Sequence, residues 1–529
     1  MFPIGVEDES ALGPLNSQQR AQQAYRIRVQ AARFQKDQPL PAQQANGDES
    51  AYPTRIANYS KGLPHDALGQ VDPAAYAAML AALEAGQHQA FESIPMGCSD
   101  PVRQRKLVNP QAGLAFDLQG ADSHHLAIPP APALASAEQA GELVELYWMA
   151  LLRDVPFAEY ETNALALQAA DELSAIGDFR GPKFDGRVTP GTLFRGSTAG
   201  DLVGPYISQF LWRPVPFGSQ FVEQRMRTVA AGLDYMTPYD EWLNIQNGCL
   251  PGRTDQFEPA RRYIINGRDL GQWVHVDVLF QAYFNALLIL LTPPEADPLS
   301  GGIGAPVNPG NPYLQSRNQA GFGTFGPPYF ATLVCEVATR ALKAVWYQKW
   351  FVHRRLRPEA FAGRVHHRLT GAADYPVHQD ALNSQAAAEI FSRHGTYLLP
   401  QAYPEGSPLH PSYGAGHATV AGACVTILKA LFDESYVIPN PRVPDPADPT
   451  SLVPYDGPPL TVGGELNKLA ANVATGRNFA GIHWRSDYSE SVRLGEAVAL
   501  SILHDQRITC TEDFEGYTFT TFEGVPVTT

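Results

Sequence analysis

The sequence predicts an all-α protein built from helix bundles, with only minor β-hairpin content. Apolar residues recur at helical spacing through most of the chain, and few segments show the period of two that a strand requires. The 529 residues exceed what one small core accommodates. The most apolar run, 278–291, is interrupted by Gln281 and Asn285 and is too short to span a bilayer. We therefore expect a buried core helix there, and no membrane span.

The helical patterns follow one another along the chain and are separated by loops rich in Pro and Gly. Helices are expected at 74–86, 136–152, 160–176, 220–234, 269–292, 328–357, 380–394, 415–433, 462–478 and 483–505. Pro358 should stop the long helix, because the residue before a proline disfavours helical backbone. A Pro/Gly/Asn loop is expected over 293–327, and the tail 512–527, with its Thr, Tyr and Phe residues, predicts a short hairpin.

Residues 1–70 differ from the rest of the chain, because they are polar, rich in Gln, Pro and Ala, and poorly periodic. They predict an extended N-terminal segment that wraps over a surface or serves an oligomer contact. Residues 71–529 then form the helical unit. The opening MFPIGVEDES has neither a basic start nor an apolar stretch, so no signal peptide is expected and the compartment stays open.

The charge balance limits the possible partners. The chain has 39 basic and 54 acidic residues, for a net charge of −15, and it shows no dense run of Lys or Arg. A nucleic-acid partner is not expected, because phosphate neutralisation needs a basic face. An anionic ligand would need a local basic island, so any cluster of basic residues becomes informative.

The cysteines do not predict a cross-linked scaffold. The five residues are Cys98, Cys249, Cys335, Cys424 and Cys510, which are scattered, odd in number and without a CxxC pair. Neither a disulfide scaffold nor a zinc site is expected. Two of them, Cys335 and Cys424, lie in apolar helical patterns and are interpreted as buried, inert thiols.

One short glycine motif does not indicate a cofactor site. The stretch GFGTFG, at 321–326, matches the glycine pattern of dinucleotide-binding loops. That site needs a strand before the turn and a helix after it, and no strand precedes this loop. A dinucleotide cofactor is therefore not expected.

Three stretches concentrate the residue types that hold an oxyanion. They are KWFVHRRLRPE, with Lys349, Arg355, Arg357 and Pro358; HPSYGAGHA, with His410, Ser412, Gly414, Gly416 and His417; and GRNFAGIHWRSD, with Gly476, Arg477, His483 and Asp487. All three fall between residues 340 and 490, which is where we place the site.

The spacing within these stretches allows the charged groups to converge. On one helix, Lys349 and Arg357 would lie about two turns apart and roughly 80° around the axis, within reach of each other's long side chains. The glycine-rich turn 414–416 precedes a helical segment whose first amides can bind an anion. His483 and Asp487 are four residues apart, so the carboxylate can fix the imidazole tautomer. Together these groups suit a tetrahedral oxyanion such as phosphate or vanadate.

Each stretch also has a simpler interpretation by itself. A Lys–Arg pair near a helix end is more often a solvated surface, HPSYGAG can be only a helix-entry turn, and His483 beside Trp484 can be a core histidine. The three stretches occurring together in this order favour the anion site.

Taken together, these stretches resemble those of a known family. The three stretches are similar to those of the vanadium haloperoxidases, in particular the red-algal and bacterial bromoperoxidase-like group, and of the related acid phosphatases. The first part of the shared pattern is a Lys followed by Arg-Pro. The second is Ser-Gly-His, which follows His-Pro-Ser-Tyr in bromoperoxidases. The third is an Arg, then a His after five intervening residues, then an Asp after three more. The segments 107–120 and 147–157 also resemble this group. The resemblance implies two four-helix bundles and a vanadate cofactor.

The resemblance also implies a role for each matching residue. His483 would be the axial ligand of vanadium, and His417 the acid–base group. The equatorial oxygens would be bound by Lys349, Arg357, Arg477 and the amide of Gly416. His410 would be the second histidine found in bromoperoxidases. Lys349 would also polarise bound peroxide.

Two features depart from a single family pattern. Ala415 stands where the family usually has Ser, so one hydroxyl donor to the oxyanion is missing, at a cost of roughly 1.5–3 kcal/mol. For the halide pocket, Trp346 resembles the chloroperoxidase pattern and His410 the bromoperoxidase pattern. The preferred halide therefore stays open.

The function that the resemblance implies is vanadate-dependent oxidation of halide by hydrogen peroxide, with halogenation of small organic substrates by a homo-oligomer. Bromide and iodide are the expected halides, and chloride a further possibility. Two alternatives remain open. The first is a phosphatase of the same superfamily, with His483 as nucleophile and His417 as general acid. The second is a non-catalytic, oxyanion-binding oligomeric protein, which the missing hydroxyl at Ala415 favours.

Overall fold

The computed structural model describes residues 15–295 and 301–529 and is predominantly helical. The first half contains α1 to α9: Ser17–Asp37, Asp48–Ala51, Pro73–Ala85, His88–Glu92, Ala137–Leu151, Ala164–Ala175, Tyr239–Gln246, Gly267–Trp273 and Gln281–Leu291. The second half contains α10 to α16: Pro327–Tyr347, Pro358–Thr370, Gln379–Leu382, Gln385–His394, Gly416–Leu431, Val462–Phe479 and Arg485–Arg507. The residues of the opening MFPIGVEDES and residues 296–300 of the predicted loop lie outside the described residues.

Strands are few and short. Six of them form three antiparallel hairpins, β1–β2 at Val215–Phe217 and Gln220–Val222, β3–β4 at Arg442–Pro444 and Leu452–Pro454, and β5–β6 at Thr518–Thr520 and Pro526–Thr528. The all-α prediction with minor hairpin content is confirmed, as is the hairpin predicted near the C-terminus.

The central helix of the fold is α14, which packs against α10, α15 and α16. These four helices form one bundle, and α14 is buried along nearly its whole length. A second group forms around α5, which packs against α6, α12 and α13 and reaches the first bundle through α15. The two groups share one continuous apolar core.

Most helices lie where their periodicity predicts them, but four expectations are corrected. The helix expected at 380–394 is interrupted after Leu382, and a separate helix, α13, starts after the N-cap Ser384. Residues 220–234 form β2 and irregular backbone, because Gly218, at φ 63°, turns the chain into a hairpin. The single helix expected over 269–292 is instead two helices, α8 and α9. The expected helix over 328–357 ends at Tyr347 and continues as a π-helical turn over Gln348–His353.

The N-terminal segment is not wholly extended. Within it α1 forms a 21-residue helix, whose start is fixed by a capping box between Asn16 and Gln19. Its Ala, Gln and Arg residues are good helix formers despite weak apolar periodicity. Residues such as Ile56 and Tyr59 join the buried core. The division of the chain at residue 70 stays a prediction.

The cysteines are also corrected in part. Cys98 and Cys249 form a disulfide, with their Cα atoms 5.1 Å apart and a separation of 151 residues in the sequence. Neither residue has another cysteine close to it in the sequence, so no spacing motif indicated the pairing. Cys424 is a buried free thiol as expected, whereas Cys335 is partly exposed.

Within residues 15–295 and 301–529, no helix is both long and apolar enough to cross a bilayer.

Candidate functional site

The stretch KWFVHRRLRPE reaches the site because the regular helix α10 ends before it. After the π-helical turn Gln348–His353, Arg354 adopts φ 41° and the chain turns away from the axis of α10. Lys349 lies on this turn and is fully buried. Its Nζ donates to the carbonyl oxygens of Pro411 at 2.9 Å and Ser412 at 2.8 Å. Lys349 therefore approaches the second stretch from a distorted turn and not from the regular helix that the spacing predicted.

Arg357 joins all three stretches. It precedes α11 and is buried. Its Nε donates to the His410 carbonyl at 3.0 Å, and Nη2 lies 2.9 Å from the Nδ1 of the same histidine. Its Nη1 donates to the Ile482 carbonyl at 2.8 Å and lies 3.0 Å from His483 Nε2. One guanidinium thus fixes the positions of two imidazoles from different parts of the chain.

Asp487 sets the tautomer of His483. The distance from His483 Nδ1 to Asp487 Oδ2 is 2.7 Å, so Nδ1 carries the proton and Nε2 keeps its lone pair. Asp487 also accepts from the Trp484 amide at 3.2 Å and from Arg355 Nη1 at 2.9 Å. The hydroxyl of Ser412 donates to the same carboxylate. The Nε2 of His483 is left as a fixed, buried metal ligand or nucleophile.

Arg477 contributes an unused donor. It lies in the last turn of α15, with Nη1 donating to the Val274 carbonyl at 2.7 Å and its guanidinium 5.4 Å from the ring of Tyr403. Its buried Nε has no hydrogen-bond partner among the described residues. A buried charged N–H without an acceptor is unfavourable, and a bound oxyanion would supply one.

The second stretch places a helix N-terminus at the same site. Ala415 is the N-cap of α14 and offers no side-chain cap, while its own amide donates to Ser491 Oγ at 2.7 Å. Gly416 and His417 are the first residues of the helix, so their amides have no acceptor within it. Ser412, the serine in the same stretch, donates to Asp487 and is not free to replace the missing hydroxyl.

His417 forms a dyad that sequence reasoning missed. Its Nε2 lies 3.0 Å from Asp277 Oδ1, on the loop between α8 and α9. Burial lowers the pKa of His417 below its usual range, and the charge of Asp277 opposes that shift. The imidazole is therefore neutral at neutral pH, with the proton on Nε2 and a lone pair on Nδ1.

Part of this cluster lines one cavity of about 510 Å³, whereas Lys349 and Arg357 are not part of its wall. The site residues that it exposes are Trp346, His410, Gly416, His417, Arg477 and His483. Trp346 lies 4.8 Å from the His410 ring and donates from Nε1 to the Val108 carbonyl at 3.0 Å. Both residues expected in a halide pocket thus lie on the cavity wall.

Three further residues on this wall were not predicted. His275 stacks on Tyr403 with ring centroids 3.7 Å apart, and its Nε2 lies 2.7 Å from Glu405 Oε1. All three line the cavity beside Arg477. Like Asp277, they stand alone in the sequence and far from the three stretches, so no local spacing marks them.

The electrostatics of the site favour an anion. Burial lowers the pKa of Lys349 well below its usual range, and the neighbouring Arg357 adds to that shift. Burial also lowers the pKa of Arg357 to about 10. The imidazole pKa values of His410 and His483 are lowered well below their usual range by burial and then by these cations. The site is a basic island in an acidic chain, and an oxyanion would relieve the repulsion within it.

A second cavity of about 530 Å³ lies elsewhere and lacks this chemistry. Its walls are mainly apolar and include Phe157, Tyr206 and Trp212. The arginine that it contains, Arg195, donates to the carbonyl oxygens of Asp201 and Gly204. We therefore assign the candidate site to the cavity around His483.

The donor set fits vanadate. Buried cations, an amide at a helix N-terminus and the unused Nε of Arg477 can face the oxygens of a tetrahedral anion, while His483 Nε2 offers one nitrogen ligand. Phosphate has the same shape and charge type. The geometry by itself leaves both chemistries possible.

Comparison with known proteins favours vanadate chemistry over phosphate chemistry. The family model described as "VCPO second helical-bundle domain" matches residues 330–508, which contain all three stretches. A vanadium-dependent bromoperoxidase of Corallina pilulifera is 37% identical over 94% of this chain and 97% of its own length. One of Ascophyllum nodosum is 38% identical over 97% of this chain and 93% of its own length.

A solved structure agrees over the whole length. The homohexameric structure of the second vanadate-dependent bromoperoxidase of Ascophyllum nodosum superimposes with a TM-score of 0.90 at 31% identity. The match covers 99% of this chain and 93% of that chain. Both the helix-bundle fold and the order of the three stretches are thereby accounted for, and the chain belongs to the vanadium-dependent haloperoxidase family.

Proposed function

We propose that this protein uses vanadate to oxidise halide, bromide foremost, with hydrogen peroxide, and that the oxidised halogen reacts with small organic substrates. The observation that carries the proposal is the buried Nε2 of His483, which Asp487 keeps unprotonated and which accepts from Arg357 Nη1 at 3.0 Å among further cations. Iodide, which is easier to oxidise, is expected as a second substrate, and chloride is the harder one.

Each residue of the basic island has a role in holding the cofactor. Lys349, Arg357, Arg477 and the Gly416 amide would bind the oxygens, with His483 as the nitrogen ligand. When bound, vanadate supplies Lewis acidity toward peroxide without changing its oxidation state. Lys349 is fully buried, and its charge would draw electron density from the oxygen atoms that the halide attacks.

His417 would handle the proton. Its Nε2 is engaged with Asp277, so Nδ1 is the atom that accepts a proton from incoming peroxide. The lowered pKa keeps this nitrogen free at neutral pH. Asp277 then stabilises the imidazolium, which can return the proton to the oxygen that leaves.

Trp346 and His410 would shape the halide pocket. The edge of Trp346 approaches the N-terminus of α14, since a Cβ at Gly416 would lie 3.1 Å from its ring. A poorly hydrated wall of this kind helps a small anion to lose water before it reacts. Replacing Trp346 by Arg should lower the chloride-to-bromide rate ratio, measured at matched pH and saturating vanadate. Equal loss of both rates would indicate a packing role instead.

A phosphatase remains the second candidate, because the same cavity presents His483 Nε2 as a possible nucleophile. Parallel assays separate the candidates: bromide oxidation by vanadate-loaded protein, and hydrolysis of a phosphate monoester by vanadate-free protein. We expect halide turnover and no phosphate release. Phosphate release alone would indicate the phosphatase, and neither activity would indicate a binding protein.

The assembly is part of the proposal. The Ascophyllum nodosum structure that covers 99% of this chain is homohexameric. We infer that this protein is also a homo-oligomer, with the subunit number to be measured.

A further inference from the structure

The N-terminal helix α1 has little packing of its own. None of its 21 residues, all of them in the described part of the chain, is buried. It contacts the body near its C-terminal end, where Phe34 stacks on His504 with ring centroids 3.6 Å apart and Gln35 donates to Asp505 at 3.0 Å. The side chain of Tyr25 is 69% exposed. A solitary helix of this length is only marginally stable in water, so α1 lacks most of the packing that helices normally have.

A loop beside α1 displays large apolar side chains. In residues 114–119, Phe116 is 84% exposed and Leu118 is 101% exposed. The loop is nevertheless fixed, because Asp117 between them accepts from Arg340 Nη1 at 3.3 Å and from Lys343 Nζ. Apolar side chains that face solvent from an anchored loop are typical of an interaction surface, since the loop backbone loses little conformational entropy on binding.

The helix and the loop form one continuous surface. The carboxylate of Asp505, at the end of α16, accepts from Gln35 with Oδ1 and from the Gly120 amide at 2.7 Å with Oδ2. The same side chain thus anchors both elements. We call α1 together with residues 114–119 the α1–loop surface. A helix of 21 residues is about 30 Å long, which matches the width of a standard protein interface.

The charge of α1 indicates what covers it. The helix carries one acidic residue, Asp37, and five basic residues, Arg20, Arg26, Arg28, Arg33 and Lys36. The whole chain has a net charge of −15, so the remainder is strongly acidic. A basic helix with apolar neighbours complements the acidic body of a second copy of this chain.

We propose that the α1–loop surface is a self-association interface that docks on the body of a second copy. This inference rests on the homo-oligomeric assembly proposed above and assigns it to particular residues. Phe116 and Leu118 supply the apolar anchors, and the arginines of α1 supply attraction that salt weakens.

Sedimentation velocity of the full-length protein tests the assignment. The interface variant is Phe116→Asp combined with Leu118→Asp, and the matched control is Phe184→Asp combined with Val102→Asp, whose side chains are 67% and 86% exposed outside this surface. We expect wild type and control to sediment as the same oligomer. The interface variant should dissociate, with a dissociation constant raised by about a hundredfold or more.

Two charge reversals extend the test. Arg26→Glu with Arg33→Glu should weaken assembly at low salt by at least about tenfold, with less effect at high salt. Far-UV circular dichroism and bromide oxidation are measured on every variant to show that each is folded.

The contrary outcomes are distinguishable. An interface variant that sediments as the wild-type oligomer would overturn the assignment of this surface and leave the proposed assembly intact. A monomeric wild type would overturn both, whatever the halide activity. Binding of that monomer to phosphatidylserine vesicles would identify the basic helix as a membrane contact instead.

Discussion

At the scale of single residues, the site depends on which hydrogen-bond donors remain unused. Arg357 already donates to two carbonyls and lies beside two imidazoles, whereas the Nε of Arg477 has no partner among the described residues. Ala415 offers no hydroxyl at the start of α14, and Ser412 is engaged with Asp487. The proposed oxyanion site therefore lacks the hydroxyl donor that the family resemblance implies at position 415.

The substitution Ala415→Ser should restore that donor. We expect the dissociation constant for vanadate to fall about tenfold, because one hydrogen bond to a charged group contributes roughly 1.5 kcal/mol or more. The new serine would also cap α14 and raise the free energy of unfolding of the vanadate-free protein by about 1 kcal/mol. Equilibrium titration and urea unfolding measure the two effects separately.

Ala415→Gly is the matched control, because glycine is accepted at an N-cap but has no hydroxyl. Its vanadate affinity should equal that of the wild type. If the serine variant binds vanadate no more tightly than the glycine variant, a water molecule or another side chain already serves as the donor.

Asp277 should control the pH dependence of the reaction. Its negative charge raises the pKa of His417, against the larger effect of burial, so Asp277→Asn must lower that pKa further. His417 loses its function as a base when it is protonated, and the acid limb of kcat/KM for bromide should therefore move to lower pH. The rate at neutral pH should fall by roughly tenfold or more, because the imidazole loses its orienting partner.

The pH profiles of the wild type and Asp277→Asn are compared at saturating vanadate, with His417→Ala as the variant that removes the base. An acid limb that stays in place, or moves to higher pH, would show that another group sets the profile.

The members of the candidate site were predictable where the chemistry is local. Lys349, Arg357, His417, Arg477 and His483 stand in short stretches with a recognisable spacing, and the structure brings them to one site. Asp277, His275 and Glu405 are isolated polar residues in loops, and nothing in their neighbours distinguishes them from surface residues. Only the folded chain shows that they face the site.

At the scale of elements, the site forms where helices end or distort. Lys349 lies on a π-helical turn, Arg357 just before α11, Gly416 at the start of α14 and His483 in the turn before α16. Apolar periodicity predicted the central helices, because it reflects the core that they bury. It did not predict the π-helical turn, since a π-helical turn differs from an α-helix in its backbone hydrogen bonding, which side-chain periodicity does not report.

The close packing of α14 and α16 positions two of these ends. A Cβ added at Gly422 would collide with the carbonyl of Val492, and one at Gly495 would collide with the carbonyl of Thr419. The helices touch backbone to backbone at these glycines. Asp487 and Ser491 lie on α16 and hold His483 and Ala415, so the helix separation sets the site geometry.

Gly422→Ala should push the two helices apart. We expect a loss of roughly 1–3 kcal/mol in the free energy of unfolding, together with weaker vanadate binding. Gly271→Ala is the matched control, because its added Cβ would meet its nearest neighbour at an ordinary 3.6 Å. Denaturant unfolding and vanadate titration of both variants decide the matter. Similar values for the two would mean that the contact between α14 and α16 is not critical.

At the scale of the whole molecule, an acidic protein encloses a buried basic site. The net charge of −15 repels anions from the surface at long range, yet the site gathers Lys349, Arg357 and Arg477 in one place. Cations buried so closely destabilise the fold, and a tightly bound oxyanion would compensate. The fold class was predictable because periodicity persists over many helices, whereas the disulfide between Cys98 and Cys249 depends on a contact 151 residues apart.

The central claim is that halide oxidation requires vanadate held by His483. The most direct test is to titrate vanadate into metal-free protein while measuring bromide oxidation by hydrogen peroxide, in the wild type and in His483→Ala. We predict no activity without vanadate, saturation near one equivalent per chain, and neither activity nor bound vanadium in the folded variant. Turnover by metal-free protein, or stoichiometric vanadium in His483→Ala by elemental analysis, would contradict the account.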